Sequence, residues 1–119
     1  MLIFALALAA PTPLTETHQR DILCVVEIAV MADEQKRGIA NGPDLRVNGK
    51  RWAGLVGARI VQETGQPREL VAVAMTEAAK ARAGQITVND KSACIRQMND
   101  ELAIADAAEA PLPKPMKQQ

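Results

Sequence analysis

Two cysteines, Cys24 and Cys94, are the residues of this sequence whose chemistry is easiest to interpret. A metal site would need about four ligands at close spacings, and the chain has no second cysteine pair. One pair in a small chain fits a structural disulfide better, and the bridge would stabilise the fold by roughly 4 kcal/mol in the chain-entropy model. The sequence therefore predicts a Cys24–Cys94 disulfide; in a cytosolic protein the two residues would instead be buried apolar thiols.

Histidine chemistry has little support in the sequence. His18 is the only histidine, and a catalytic or metal-binding histidine needs partners. Cysteine–histidine catalysis would require a free Cys24 beside it, which a disulfide would prevent. The sequence also contains no nucleophile elbow, haem motif or phosphate-binding glycine loop. We therefore predict a non-enzymatic protein with no catalytic residues, metal site or cofactor, and with His18 on the surface beside the first helix.

Glu27 is the single charged residue within the apolar stretch 22–32. Two interpretations are open. Its carboxylate pairs with a basic side chain such as Arg59 or Arg96, or it lies on the one wet face of its helix. The second interpretation is simpler, because ionisable residues are rarely fully buried.

A local excess of positive charge, which we call the basic segment, is a candidate contact surface. It places four cations within fourteen residues, opposed by Asp44 alone. Trp52 lies inside it and is either the largest core anchor, which we favour, or an exposed contact residue. A solvated face is the simpler account of the charges, because no aromatic residues alternate with them to bind nucleic acid. The cations are Arg46, Lys50, Arg51 and Arg59.

The overall composition limits the partners. Fourteen basic and fourteen acidic residues give a net charge of zero, so no global field attracts nucleic acid, an anionic membrane or an acidic substrate. The chain of 119 residues suffices for one domain, whose core must be aliphatic because aromatic residues make up only 2%. We expect an unidentified protein partner or self-association, with no nucleic acid and no stable membrane span.

The first residues form an apolar run that is too short to cross a bilayer. Residues 1–9 are typical of a signal peptide, since Ala7 and Ala9 give the small-residue pattern that precedes cleavage. The alternative is an apolar segment that packs on the domain. The signal-peptide interpretation predicts a periplasmic or secreted protein, in agreement with the predicted disulfide.

The pattern of apolar residues and helix-end signals predicts an all-α domain, a small bundle of four main helices stapled by the disulfide. Gly38, Gly65 and Gly84 mark helix ends, and Pro67 opens the third helix. The predicted helices cover 21–37, 50–64, 67–83 and 89–107.

The predicted domain, 21–107, lies between less regular segments. Residues 10–20 form an extended leader, 38–49 a loop, and 108–119 a disordered proline-rich tail. The apolar first helix must be covered by other helices or by a partner chain. Gly54 and Gly57, inside the second helix, favour a close helix crossing.

The segments CVVEIAV and SACIRQM give the chain a resemblance to small, uncharacterised exported bacterial proteins with one cysteine pair. This resemblance covers about residues 21–102 and implies no activity. The chain is more distantly similar to periplasmic acid-stress chaperones, but its neutral charge and wider cysteine spacing depart from that pattern. We expect a binding or interaction module; the alternatives are a stress-type chaperone and a carrier of a small apolar ligand.

Overall fold

The protein is all-α. A computed structural model describes residues 12–82 and 88–109, and within them it contains four helices and no strand. This confirms the predicted four-helix fold. The predicted signal peptide at 1–9 and the helix stop at Gly84 lie outside the described residues. The helices are α1 (Glu16–Lys36), α2 (Arg46–Thr64), α3 (Arg68–Arg82) and α4 (Val88–Glu109).

α1 begins five residues before the predicted start, so the predicted leader 10–20 is wrong for 16–20. Thr15 is the N-cap: its hydroxyl accepts a hydrogen bond from the His18 amide at 3.1 Å, and His18 Nδ1 accepts one from the Thr15 amide at 3.1 Å. This is a capping box with histidine in the place that Glu or Gln usually takes. The helix ends before Gly38, as predicted, where φ is 76°.

α2 begins at Arg46, so the predicted loop 38–49 is wrong for its last four residues. Gln35 of α1 fixes the connecting segment. Its Oε1 accepts a hydrogen bond from the Leu45 amide at 2.9 Å, and its Nε2 donates to the Pro43 carbonyl at 2.7 Å. Leu45, the N-cap residue, is buried in the core, and this anchoring starts the helix earlier than local turn chemistry indicates. The C-terminal end at Gly65, with φ 73°, is where the sequence places it.

α1 and α2 form the central pair of the bundle. Each packs against both α3 and α4, whereas among the described residues α3 and α4 do not contact each other. The apolar surface of α1 is therefore covered by helices of the same chain, as one of the two predicted arrangements requires. The largest fully buried apolar side chains are Trp52, Ile28, Ile60, Met98 and Val56.

Three rungs join α1 to α4. Cys24 and Cys94 form the predicted disulfide, with their Cα atoms 5.1 Å apart, and both residues are buried. On either side, Asp21 meets Gln97 and Glu27 meets Lys91. From one contact to the next, the residue number rises along α1 and falls along α4, so the two helices are antiparallel. Cys24 lies in the third turn of α1 rather than the first, because the helix starts earlier than predicted.

Two further expectations are corrected. α4 continues to Glu109, so residues 108 and 109 are helical rather than part of a tail, and 110–119 lie outside the described residues. Gly54 and Gly57 do not mark a close crossing, because a Cβ at either would meet no heavy atom within 4 Å. The tight approach is at Gly49, where a Cβ would lie 3.0 Å from Cγ2 of Ile28.

Candidate functional site

Trp52 is fully buried, so its inclusion in the candidate contact surface is wrong and the core interpretation is confirmed. Its indole N–H donates to Glu101 Oε1 at 2.8 Å, which satisfies the one polar atom that a buried tryptophan brings into a core. Arg59 is also drawn inward. Its guanidinium lies 3.1 Å from both Asp21 and Glu101, and its side chain is 30% exposed.

These side chains form a cluster between α1, α2 and α4 that we call the inner polar cluster. Burial alone would raise the pKa of Glu101, but hydrogen bonds from Trp52 and Gln97 and the charge of Arg59 together lower it. Each Glu101 oxygen thus has a donor, and the cluster is built for stability rather than chemistry. One feature of the sequence could have pointed to this cluster: the N–H of a buried tryptophan requires a hydrogen-bond acceptor. Its members are Asp21, Trp52, Arg59, Gln97 and Glu101.

The other cations of the basic segment are exposed, and each has a different environment. Arg46 pairs with Asp44 at 3.0 Å, and hydrogen bonds from Arg46 lower the pKa of Asp44 to about 2. Arg51 pairs with Asp106 of α4. Lys50 has no ion-pair partner among the residues that the structure describes. The basic segment is therefore not one continuous charged surface.

His18 is buried, so the prediction of a surface position is wrong. Nδ1 is engaged in the capping box, and Nε2 lies 2.7 Å from Glu63 Oε1 on α2. The capping contact at the start of α1 orients the imidazole ring so that Nε2 reaches α2. Both ring nitrogens therefore take part in structural contacts. His18 is accordingly a packing residue in this fold.

Glu27 is also buried, at 1% exposure, so the favoured wet-face interpretation is wrong. It pairs with a cation, but with Lys91 at 3.7 Å rather than with Arg59 or Arg96. Glu27 Oε2 is buried and has no hydrogen-bond partner in the described part of the chain. Burial raises the pKa of Glu27, and the opposing effect of Lys91 is too weak to compensate. Glu27 follows Cys24 by three residues, and Lys91 precedes Cys94 by three. Given the disulfide and antiparallel helices, this spacing could have predicted the Glu27–Lys91 pair.

A cavity of about 530 Å³ opens between the C-terminal half of α1 and the N-terminal half of α2; we call it the α1–α2 groove. Its walls are mostly apolar, and charged side chains stand among them. Val47 is 66% exposed at its edge. The apolar lining comprises Val25, Ala29, Ala32, Leu45, Val47, Gly49 and Ala53, and the charged lining Asp33, Lys36, Asp44, Arg46 and Lys50.

A second, more polar cavity of about 320 Å³ adjoins the groove at the α1–α2 connection; we call it the polar end. Lys36, Asp44 and Arg46 line both cavities, so the two lie side by side at these side chains. The remaining lining residues of the polar end are Gln35, Ala40, Asn41 and Gly42. The combined cavity is thus an apolar trough that leads into a polar recess.

The groove carries an excess of positive charge. Its two carboxylates are already paired, Asp33 with Arg37 at 2.8 Å and Asp44 with Arg46. Lys36, like Lys50, has no ion-pair partner in the described part of the chain. Both ammonium groups are therefore available to an anionic ligand.

The described ranges, 12–82 and 88–109, contain no group of three or more His, Cys, Asp or Glu side chains placed to hold a metal ion. None of the helices, over these same residues, is long and apolar enough to cross a membrane. No protein-family model, curated protein or solved structure matches the chain. The α1–α2 groove is therefore the feature of the described residues from which a function can be inferred.

Proposed function

We propose that this protein is an exported, non-enzymatic binding module that takes its ligand in the α1–α2 groove. The observation that carries the proposal is an open apolar cavity of about 530 Å³, lined by two lysines that have no ion-pair partner among the described residues. Small-molecule sites are typically apolar clefts of about 300–1,000 Å³ with a few polar groups that orient the ligand. Arg46 and Lys50, two members of the candidate contact surface of the basic segment, both line it.

The walls of the groove are held in place without a ligand, which supports a binding role. Gln35 fixes the connection that leads into α2, and Ile28 packs directly against Gly49 on the groove wall. Val25, at the other end, follows the disulfide-bonded Cys24. A preformed site binds more tightly because little ordering entropy is lost on binding.

Export is the second part of the proposal. A disulfide persists in oxidising compartments such as the bacterial periplasm and the extracellular space, so the Cys24–Cys94 bridge is compatible with either location. Expression of the full chain in a bacterium, followed by cell fractionation, tests it. We expect the protein in the periplasm or medium with no free thiol before reduction; cytosolic protein with two free thiols would contradict export.

The groove is tested with N-phenyl-1-naphthylamine, a neutral dye whose fluorescence increases in apolar surroundings. We expect saturable binding of one dye molecule to the wild type. Ala29 is exposed on the groove wall, so Ala29→Phe fills the cavity without disturbing the core and should weaken dye binding at least about tenfold.

The matched control is Ala103→Phe, which makes the same change at an exposed alanine of α4 outside the groove. It should bind the dye as the wild type does. Equal dye binding by the wild type and Ala29→Phe, or no saturable binding by the wild type, would overturn the proposed function.

The two alternatives stay predictions. A chaperone that acts by exposing α1 on dissociation needs a dimer, whereas α1 is already covered by α2, α3 and α4 of the same chain. A carrier with its ligand inside the core needs an internal cavity, whereas the α1–α2 groove lies at the edge of the core, where Val25 and Leu45 line it. Both observations favour the groove.

A further inference from the structure

We infer that the ligand of the α1–α2 groove is a free single-chain fatty carboxylate, with its alkyl chain in the trough and its head group toward the polar end. The inference rests on the proposed function and adds the chemical class of the ligand. Three properties of the groove support it: the sign of its charge, its size and the order of its apolar and polar parts.

The charge favours a monoanion. Lys36, Arg46 and Lys50 stand against Asp33 and Asp44 in the lining, which leaves one net positive charge. Asp44 pairs with Arg46 inside the lining, whereas Asp33 pairs with Arg37 outside it, so the positive charge that has no ion-pair partner among the described residues resides on the two lysines. A carboxylate would gain charge-assisted hydrogen bonds there, whereas a cationic amphiphile would meet repulsion.

The size favours a small molecule over a protein. Twelve residues line the groove, and its volume is about 530 Å³. A stable protein interface usually engages about 20–30 residues on each side. An alkyl chain needs only a narrow apolar trough, since each methylene contributes independently to the transfer from water.

The order of the parts sets the orientation. The apolar residues Ala29 and Ala53 line the trough only, whereas Lys36 lines both the trough and the polar end. Lys36 therefore stands where an apolar chain would give way to its charged head. Lys50 lines the trough but not the polar end. Loss of the Lys36 charge should consequently weaken binding more than loss of the Lys50 charge.

The test measures displacement of N-phenyl-1-naphthylamine by dodecanoate, dodecan-1-ol and dodecyltrimethylammonium, each below its micelle-forming concentration. The three probes share one chain length and differ in head-group charge. We expect dodecanoate to displace the dye at about tenfold lower concentration than dodecan-1-ol, and the cation to be the weakest.

Three lysine variants locate the charge effect. Lys36→Gln should weaken dodecanoate binding about tenfold and leave dodecan-1-ol unchanged, and Lys50→Gln should have a smaller effect in the same direction. Lys80→Gln is the matched control, because this exposed α3 lysine lies outside the groove and should alter neither probe.

The possible failures are distinguishable. Equal displacement by dodecanoate and dodecan-1-ol, or a Lys36→Gln variant with wild-type dodecanoate affinity, overturns the inference but leaves the proposed function intact. Co-sedimentation with phosphatidylglycerol vesicles, without displacement of the dye by dodecanoate, would overturn it in favour of a membrane surface. Absence of saturable dye binding by the wild type would overturn the proposed function itself, and the inference with it.

Discussion

Two glutamates, Glu27 on α1 and Glu101 on α4, each face a cation, yet their pKa values are shifted in opposite directions. Each faces a cation on another helix, Glu27 with Lys91 at 3.7 Å and Glu101 with Arg59 at 3.1 Å. Glu101 also accepts hydrogen bonds from Trp52 and Gln97, whereas Oε2 of Glu27 has no partner among the described residues. The pKa is lowered at Glu101 and raised at Glu27.

The difference shows that one opposite charge does not compensate a buried carboxylate. Removing a carboxylate from water is costly, and the cost is recovered only when several donors satisfy both oxygens. Arg59 contributes a planar fork that also reaches Asp21, whereas Lys91 offers a single ammonium at a longer distance. We therefore expect the Glu101 carboxylate to stabilise the fold and the buried Glu27 carboxylate to cost stability.

The largest effect is expected from the Cys24–Cys94 disulfide, which lies between the Glu27 pair and the inner polar cluster on the α1–α4 seam. Cys24→Ala/Cys94→Ala should lower the free energy of unfolding by up to about 4 kcal/mol, measured by urea denaturation. Hydrogen exchange should then show greater loss of protection near Lys91 than near Glu101. Equal loss at both ends, or greater loss near Glu101, would contradict the comparison.

The second effect is the loss of the Glu101 carboxylate. Glu101→Met should lower the free energy of unfolding by about 2–3 kcal/mol at neutral pH, because it leaves the Trp52 indole without an acceptor and the partly buried Arg59 with Asp21 alone. Urea denaturation measures the change. Ala103→Met is the control, at an exposed position of the same helix, and should be nearly neutral. A Glu101→Met variant as stable as this control would end the argument for the cluster.

The third effect has the opposite sign. Glu27→Met replaces a poorly compensated buried carboxylate by an apolar side chain of similar length, and Lys91, whose side chain is 33% exposed, can still reach water. We expect the free energy of unfolding at neutral pH to rise by about 1 kcal/mol in the same urea assay. Destabilisation comparable to that of Glu101→Met would show that the two glutamates are equivalent.

The sequence could predict the elements and the disulfide but not these pairings. Gly38 and Gly65 mark helix ends by local backbone conformation, and the single cysteine pair leaves one disulfide to form. The fates of Glu27 and Trp52 depend on which helices pack beside them, which composition and periodicity do not specify. The N-terminal ends of α1 and α2 were placed too late in the chain, because they depend on a capping box completed by His18 and on the burial of Leu45.

The candidate site was located only in part by the same reasoning. Arg46 and Lys50 belong to the basic segment and also line the α1–α2 groove. The apolar wall contributed by Ala29 and Ala32 has no signature in the sequence, since an alanine that lines a groove and one that faces solvent are alike there. The groove exists because Gln35 and the Gly49–Ile28 contact set the two helices at a fixed separation.

The smallest effect is the pH dependence that the two glutamates give to stability. Glu101 has a lowered folded-state pKa, so its stabilising contribution is present above the ordinary value of 4.5 and is lost as the pH falls below it. Glu27 has a raised folded-state pKa, so the stability associated with its proton is present below 4.5 and is lost as the pH rises above it. The two residues thus act in adjacent pH ranges.

Urea denaturation at pH values from 3 to 7 separates the two contributions. Relative to the wild type, Glu27→Met should remove a decline in stability as the pH rises above 4.5, and Glu101→Met should remove a decline as the pH falls below 4.5. Ala103→Met should reproduce the wild-type profile. If the free energy of unfolding of Glu27→Met changed with pH above 4.5 as that of the wild type does, Lys91 would compensate the Glu27 carboxylate fully. The two glutamates would then differ in their hydrogen bonds but not in their effect on the pH dependence of stability.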